Sequence, residues 1–147
     1  MKISASAKLT LLVNRAIALV LLALLFTMPR LLDWYLQVRP LGPQEARAIM
    51  IGFYCCAPMV AYALWNMDAI LRSILRSQVF ERSVVRCIRH VRWCCVGVCL
   101  VCLLVEFFYP PLVFMVVIMA FLALVISVLA TVMDAAVTIR EENDLTI

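Results

Sequence analysis

The sequence predicts an all-α integral membrane protein with four transmembrane helices, the second and third of which extend into the cytoplasm as a basic hairpin. Hydrophobic residues make up 67% of the 147 residues, and the mean hydropathy is +1.07. Soluble domains are roughly half apolar and a quarter charged, whereas 15% of this chain is charged. The charges separate apolar runs about as long as the ~20 residues that cross a bilayer. The chain is therefore expected to form a single membrane domain over residues 1–147.

The four predicted spans are residues 9–29, 46–66, 93–109 and 112–133. The first run also has the basic start and apolar middle of a signal peptide, but it is longer than a usual signal core and lacks a small-residue cleavage site. We expect it to be retained. Pro29, Pro40 and Pro43 predict an exit from the first helix and an irregular connection, because proline disfavours helix in the residue before it.

A helical hairpin at residues 67–92 is expected between the second and third spans. Apolar residues keep a 3.6-residue period there while Arg72 and Arg76 occupy another face, which is typical of an amphipathic helix. A turn is expected at residues 77–80. Glu81 then opens the next helix, where an acidic residue favours the helix dipole.

The orientation follows from the Lys and Arg residues, because cytoplasmic segments carry the excess. An inside N-terminus places nine of them on the cytoplasmic side: Lys2, Lys8, Arg72, Arg76, Arg82, Arg86, Arg89, Arg92 and Arg140. The outer loops then hold Arg30, Arg39 and Arg47. Arg15, inside the first span, can snorkel to the inner surface. Both termini, including the tail at 134–147, are therefore predicted to be cytoplasmic.

The sequence indicates no enzyme, no cofactor and no metal site. A single His and the lack of paired carboxylates leave no nucleophile–base pair, and no phosphate-binding loop is present. Among seven cysteines, Cys99 and Cys102 have C-x-x-C spacing, but with Cys95 they share one helix face inside a span and suit packing there. No direct nucleic-acid binding is expected, because no recognition module accompanies the arginines.

Two charged residues inside the predicted spans, Arg15 and Glu106, are candidate intramembrane polar sites. A charge at mid-bilayer costs roughly 2.5–3.5 kcal/mol on insertion scales and is therefore a functional hint. Glu106 is expected near the outer face, where Arg30 or Arg47 could pair with it or its carboxylate could just reach the headgroups. The alternative is a proton or cation site in a small transporter or channel subunit. Ion- or pH-dependent flux into liposomes that disappears in Glu106→Gln would identify that function.

The leading hypothesis is a non-enzymatic regulatory or partner-binding protein. The basic hairpin and the acidic tail lie on the same predicted side, and their opposite charges favour packing together or competition for a cytoplasmic protein. The predicted partner-binding residues are Arg72, Arg76, Phe80, Arg82, Arg86, Arg89, Glu141, Glu142, Asn143 and Asp144. Two interpretations of the tail stay open: its apolar end docks in a groove, or it is a continuing helix capped by Asn143 and Asp144.

Membrane lipid is the other expected partner. Each arginine near an anionic leaflet gains ~1 kcal/mol, so a lipid-binding or bilayer-organising role is a third candidate function. Alanine-rich helix faces fit packing within one chain or between chains, and a homo-oligomer is therefore possible.

The tail sequence Arg-Glu-Glu-Asn-Asp-Leu-Thr-Ile at 140–147 resembles the terminal signature of domain of unknown function 2975, a family of small four-span bacterial membrane proteins. Residues 70–89 are similar in layout, with Leu-Arg repeats, a turn near Phe80 and a helix opening on Glu81. The family usually has Gly and Pro before that Phe and Asn after the Glu, whereas this chain has Gln-Val and Arg82.

The resemblance implies a bacterial inner-membrane protein without known catalytic residues. It also implies that the gene for such a protein often lies beside the gene for a small helix-turn-helix regulator of the Cro/CI type. Such a regulator is therefore a possible cytoplasmic partner.

Overall fold

The chain folds into four long α-helices and one short 3-10 turn in a computed structural model. The structure describes residues 2–76 and 81–146, with side chains from Ser6 onward, so the predicted turn at 77–80 and Phe80 lie outside the described residues. The helices are α1 (Lys2–Val38), α2 (Pro43–Leu75), α3 (Arg82–Glu106) and α4 (Val113–Leu145), and the turn is Pro110–Leu112. All four helices are long and apolar enough to cross a membrane. The predicted all-α fold with four candidate spans is confirmed.

Helix α1 does not end at Pro29, and the predicted exit there is wrong. The helix continues to Val38. A proline removes the hydrogen bond to the carbonyl four residues earlier, which for Pro29 is the carbonyl of Leu25. The Tyr54 hydroxyl on α2 donates to this carbonyl at 3.0 Å. A neighbouring helix therefore supplies the missing hydrogen bond, which is how membrane helices commonly tolerate proline.

The connection between α1 and α2 is shorter than the prolines predicted. Pro43 is the first residue of α2, a position that suits proline because its nitrogen needs no helical acceptor there. The backbone N–H of Gly42 donates to the Glu45 carboxylate at 3.1 Å. The hydrogen bond to Glu45 caps the start of α2 at Pro43, so the irregular connection covers only residues 39–42.

Helices α2 and α3 pack closely, and two glycines allow the approach. A Cβ atom added at Gly52 would lie 2.6 Å from Cγ2 of Val105, and one added at Gly97 would lie 2.9 Å from Sδ of Met59. Small residues at such crossings let helix backbones approach in membranes. The α2–α3 pair therefore forms the centre of the fold.

The outer helices each have one helical neighbour. α1 packs on α2 and α4 packs on α3, whereas the backbones of α1 and α4 are not in contact within the described residues. The helices therefore form an open layer in chain order. At one end a hydrogen bond of 3.0 Å between the hydroxyls of Tyr35 and Tyr109 links α1 to the α3–α4 connection.

Charge is distributed unevenly between the two ends of the layer. Residues 2–15, 66–76, 81–92 and 134–146 lie together and are called the charged end; residues 30–47 and 106–113 form the opposite end. The charged end contains ten basic and six acidic residues, and the opposite end contains three of each. The charged end therefore carries the whole formal net charge of +4.

The charged end also contains a well-packed apolar cluster. Val84 and Ile88 of α3 pack with Ala130 of α4, and partly buried residues of α2 and α4 surround them. Val137, farther along α4, is only 1% exposed. The ends of α2, α3 and α4 therefore hold one another in a defined arrangement and present a stable surface.

Candidate functional site at the charged end

An ion-pair cluster fixes the end of α4 to the start of α3. The Arg82 guanidinium donates to both carboxylate oxygens of Glu141, at 3.0 and 2.6 Å, and also lies 3.9 Å from Asp134. Asp134, Val137 and Glu141 follow the spacing that places residues on one helix face. Val137 packs between the two acids, so charge and apolar packing act at the same contact.

The tail is helical rather than irregular. α4 continues to Leu145, and the N–H of Thr146 donates to the carbonyl of Asn143 at 3.3 Å. The continuing helix that one interpretation of the tail predicted is present, but it runs past Asn143 and Asp144, and its C-cap is Thr146. The side chains of Glu142, Asn143 and Asp144 are exposed and form no ion pair with the described residues.

Hydrogen bonds from Arg82 hold the pKa of Glu141 below its ordinary value of 4.5. A carboxyl group whose pKa is lowered by folding stabilises the folded state above its unfolded pKa, and that contribution is lost as the pH falls through the lowered value. Both side chains are about half exposed, so solvent screens the pair and the contribution is small.

Acidification below the ordinary pKa of Glu141 is therefore expected to loosen the end of α4. Hydrogen exchange of amides 138–145, corrected for intrinsic rates, should accelerate relative to exchange near Ala130. At neutral pH, Glu141→Gln should reproduce this acceleration, because it removes the charge that Arg82 binds. Glu142→Gln is the matched control and should leave exchange unchanged. Equal acceleration in both variants would contradict this prediction.

A second ion-pair cluster joins α1 to α2. The Asp68 carboxylate, with 16% of its side chain exposed, pairs with Arg15 at 3.3 Å and with Arg72 one helical turn along α2. Asn14 is buried and donates to the carbonyl of Leu64 at 3.1 Å. Arg15, predicted to snorkel to the inner surface, therefore has an acidic partner. This cluster places Arg72 apart from the Arg82 cluster, although sequence reasoning grouped both in one surface.

The exposed face of α3 contains two arginines that take part in neither ion-pair cluster. Arg86 and Arg89 are exposed, and neither forms an ion pair with any residue that the structure describes. Arg92 instead turns toward α4, where it donates to the Ser127 hydroxyl at 3.4 Å and lies 5.5 Å from the Trp93 ring. Arg86 and Arg89 therefore carry the positive charge of α3 that no described acidic residue neutralises.

A family model described as Protein of unknown function (DUF2975) matches residues 5–147. The chain belongs to this family. The match covers nearly the whole chain and confirms the resemblance seen in the tail and in residues 70–89. No curated protein and no solved structure shows significant similarity to the chain. Membership in DUF2975 therefore specifies the family without specifying an activity.

Glu106 of this DUF2975 chain lies at the last residue of α3 and at the opposite end of the layer. The predicted ion pair with Arg30 or Arg47 is absent from the described residues, and that prediction is wrong. Arg47 lines a cavity with Leu104 and Phe108. A residue two positions from Leu104 points to the other side of a helix, so Glu106 faces away from Arg47.

Sequence reasoning missed Asp68, Asn14 and Asp134 as members of these clusters. Asp68 precedes Arg72 by four residues, a spacing that predicts an ion pair on a helix, and this signal was present in the sequence. Asn14 and Asp134 make contacts with other helices, and no local sequence pattern predicts such contacts. The cysteines, by contrast, are all free thiols, and Cys99 lies 3.7 Å from the carbonyl of Val116 in a helix contact.

Proposed function

We propose that the chain is a non-enzymatic bacterial inner-membrane protein that binds an acidic cytoplasmic protein through its charged end. Helix length supports the extension that this requires. α2 and α4 each have 33 residues, which span about 50 Å at 1.5 Å per residue. The hydrocarbon core is ~30 Å thick. Each helix therefore exceeds the hydrocarbon core by roughly 20 Å, which is enough for the hairpin and the tail to project together on one side.

Tryptophans support the same placement in the bilayer. Trp65 and Trp93 are exposed near the charged end, and Trp34 is exposed near the opposite end. Such aromatic residues are enriched at the two membrane–water interfaces. The charged end then lies outside the hydrocarbon, and its excess of Lys and Arg favours the cytoplasmic side, with both termini there.

The proposal rests on two exposed arginines, Arg86 and Arg89, that form no ion pair with the described residues and lie on a well-packed helix. Arg86 and Arg89 are exposed on α3, while Val84 and Ile88 hold the same helix against its neighbours. A partner therefore meets positive charges whose backbone is already fixed, which lowers the entropy cost of binding. An acidic protein surface complements these charges. A small helix-turn-helix regulator, the partner implied by the family resemblance, would bind through an acidic face away from DNA.

Charge reversal tests this proposal. In the double variant Arg86→Glu and Arg89→Glu, binding of the acidic partner should weaken by at least about tenfold, because like charges then face each other at a cost of several kcal/mol. The partner is captured from gently solubilised membranes, purified, and its affinity measured at increasing salt. Binding to the unaltered protein should weaken with salt, as expected for screened surface charges.

The matched control reverses Arg39 and Arg47, which are exposed at the opposite end. This variant should bind the partner normally, and both variants must insert equally well in the membrane. The proposal fails if the Arg86 and Arg89 reversal leaves the affinity unchanged, or if the control loses binding to the same extent.

A further inference from the structure

An apolar cleft of about 300 Å³ lies between α1 and α4, and α2 and α3 form its floor. Its walls include Leu21 and Met28 from α1 and Met115 and Met119 from α4. Because the backbones of α1 and α4 are not in contact, the cleft is open toward the surrounding lipid. The close approach of α2 and α3 at Gly52 closes its floor.

The cleft continues toward the opposite end of the layer. A second cavity, of about 330 Å³, shares Met28, Ile49 and Tyr109 with the cleft and also contacts Trp34 and Tyr35. The fourteen residue-to-residue steps from Leu21 to Tyr35 on α1 rise about 21 Å. One leaflet contributes about half of the ~30 Å hydrocarbon core. The combined groove is therefore long enough for one acyl chain of one leaflet.

The chemistry of the groove also fits a lipid chain. Its lining is almost wholly apolar, and methionines lie on both facing walls, where their flexible side chains adapt to an irregular ligand. A volume near 300 Å³ is at the small end of ligand sites and too narrow for a helix about 10 Å across. The Tyr35–Tyr109 hydroxyl pair at the mouth can hydrogen-bond to glycerol or phosphate oxygens, beside the exposed ring of Trp34.

From this geometry we infer that the cleft binds one acyl chain of a glycerophospholipid, with the headgroup at the Tyr35–Tyr109 pair. The lipid is a bound ligand of this chain and differs from the lipids that exchange freely around the other helix faces. The inference is independent of partner binding at the charged end, because the mouth of the groove lies at the opposite end of the layer.

Native mass spectrometry tests the inference with protein reconstituted in phosphatidylglycerol and phosphatidylethanolamine and then transferred to mild detergent. The unaltered chain should retain one phospholipid. Met119→Trp fills the cleft and should lose it, whereas Ile118→Trp, on the exposed neighbouring position of α4, should retain it. Equal retention in both variants, a retained apolar molecule that is not a phospholipid, or a lipid-free dimer would overturn the inference.

Photochemical mapping provides a second test that needs no variant. Phosphatidylglycerol with a diazirine near the end of one acyl chain is reconstituted with the unaltered protein and irradiated. Adducts should concentrate on the lining residues farther from the Tyr35–Tyr109 pair, Leu21, Val98 and Met119. Adducts distributed instead in proportion to exposure, with the strongest labelling on residues such as Phe121 and Leu124, would overturn the inference even if Met119→Trp fails to fold.

Discussion

Gly52→Ala is expected to destabilise the protein by about 1–3 kcal/mol, the usual cost of inserting a methyl group into a well-packed core. The new Cβ would lie 2.6 Å from Cγ2 of Val105, a distance that forces α2 and α3 apart. Unfolding of purified protein in mixed micelles, monitored by helical circular dichroism, measures the change.

A second glycine and a compensating substitution make this prediction specific. Gly42→Ala should be nearly neutral, because its Cβ would have only the Glu45 side chain nearby, at 3.9 Å. Val105→Ala removes Cγ2, the atom with which the new Cβ at position 52 would clash. The double variant should therefore lose less stability than the sum of the losses in the two single variants. Strict additivity, or an equal loss in Gly42→Ala, would show that α2 and α3 are not in close contact at this point.

Val137→Asp is expected to release the end of α4 from α3. Val137 is 1% exposed, and a carboxylate placed there would be buried beside Asp134 and Glu141, which already bind Arg82, at a cost of several kcal/mol. The tail avoids this cost by detaching, which also breaks the Arg82–Glu141 pair. Trypsin cleavage after Arg140 should therefore become much faster, because a detached helix of this length is marginal in water.

The control for this variant is Ile139→Asp, since Ile139 is 65% exposed and only two positions away. It adds the same charge to the same helix and should leave cleavage near the rate of the unaltered protein. Fast cleavage in both variants would indicate that charge alone melts the tail, and slow cleavage in both would indicate that Val137 is not packed against α3.

The fold followed from the sequence because its determinants are local. Hydropathy runs of about twenty residues predicted four spans, and the 3.6-residue stripe after Asp68 predicted the helix that the structure has as far as Leu75. Pro29 misled the prediction because the bond that rescues it comes from Tyr54, which is distant in sequence and adjacent only in the folded chain. A local rule for proline contains no information about a hydroxyl on another helix.

The candidate site was predictable in charge but not in pairing. Opposite charge on hairpin and tail indicated contact, and Arg82 with Glu141 provides it. Which arginine binds which acid depends on the relative height and rotation of packed helices, so the sequence alone did not separate the Arg82 cluster from the Asp68 cluster. The same dependence on register explains why Arg30 and Arg47 were candidate partners of Glu106 and yet neither forms an ion pair with it among the described residues.

The central claim, that the charged end is the cytoplasmic binding surface, is tested most directly by photo-crosslinking in intact cells. A benzophenone amino acid replaces Arg89 in one variant and Arg47 in the other, and crosslinked proteins are identified after purification under denaturing conditions. Position 89 should crosslink to one defined acidic cytoplasmic protein, and position 47 should not. Adducts at position 89 with periplasmic proteins, or only the adducts that also form at position 47, would contradict this claim.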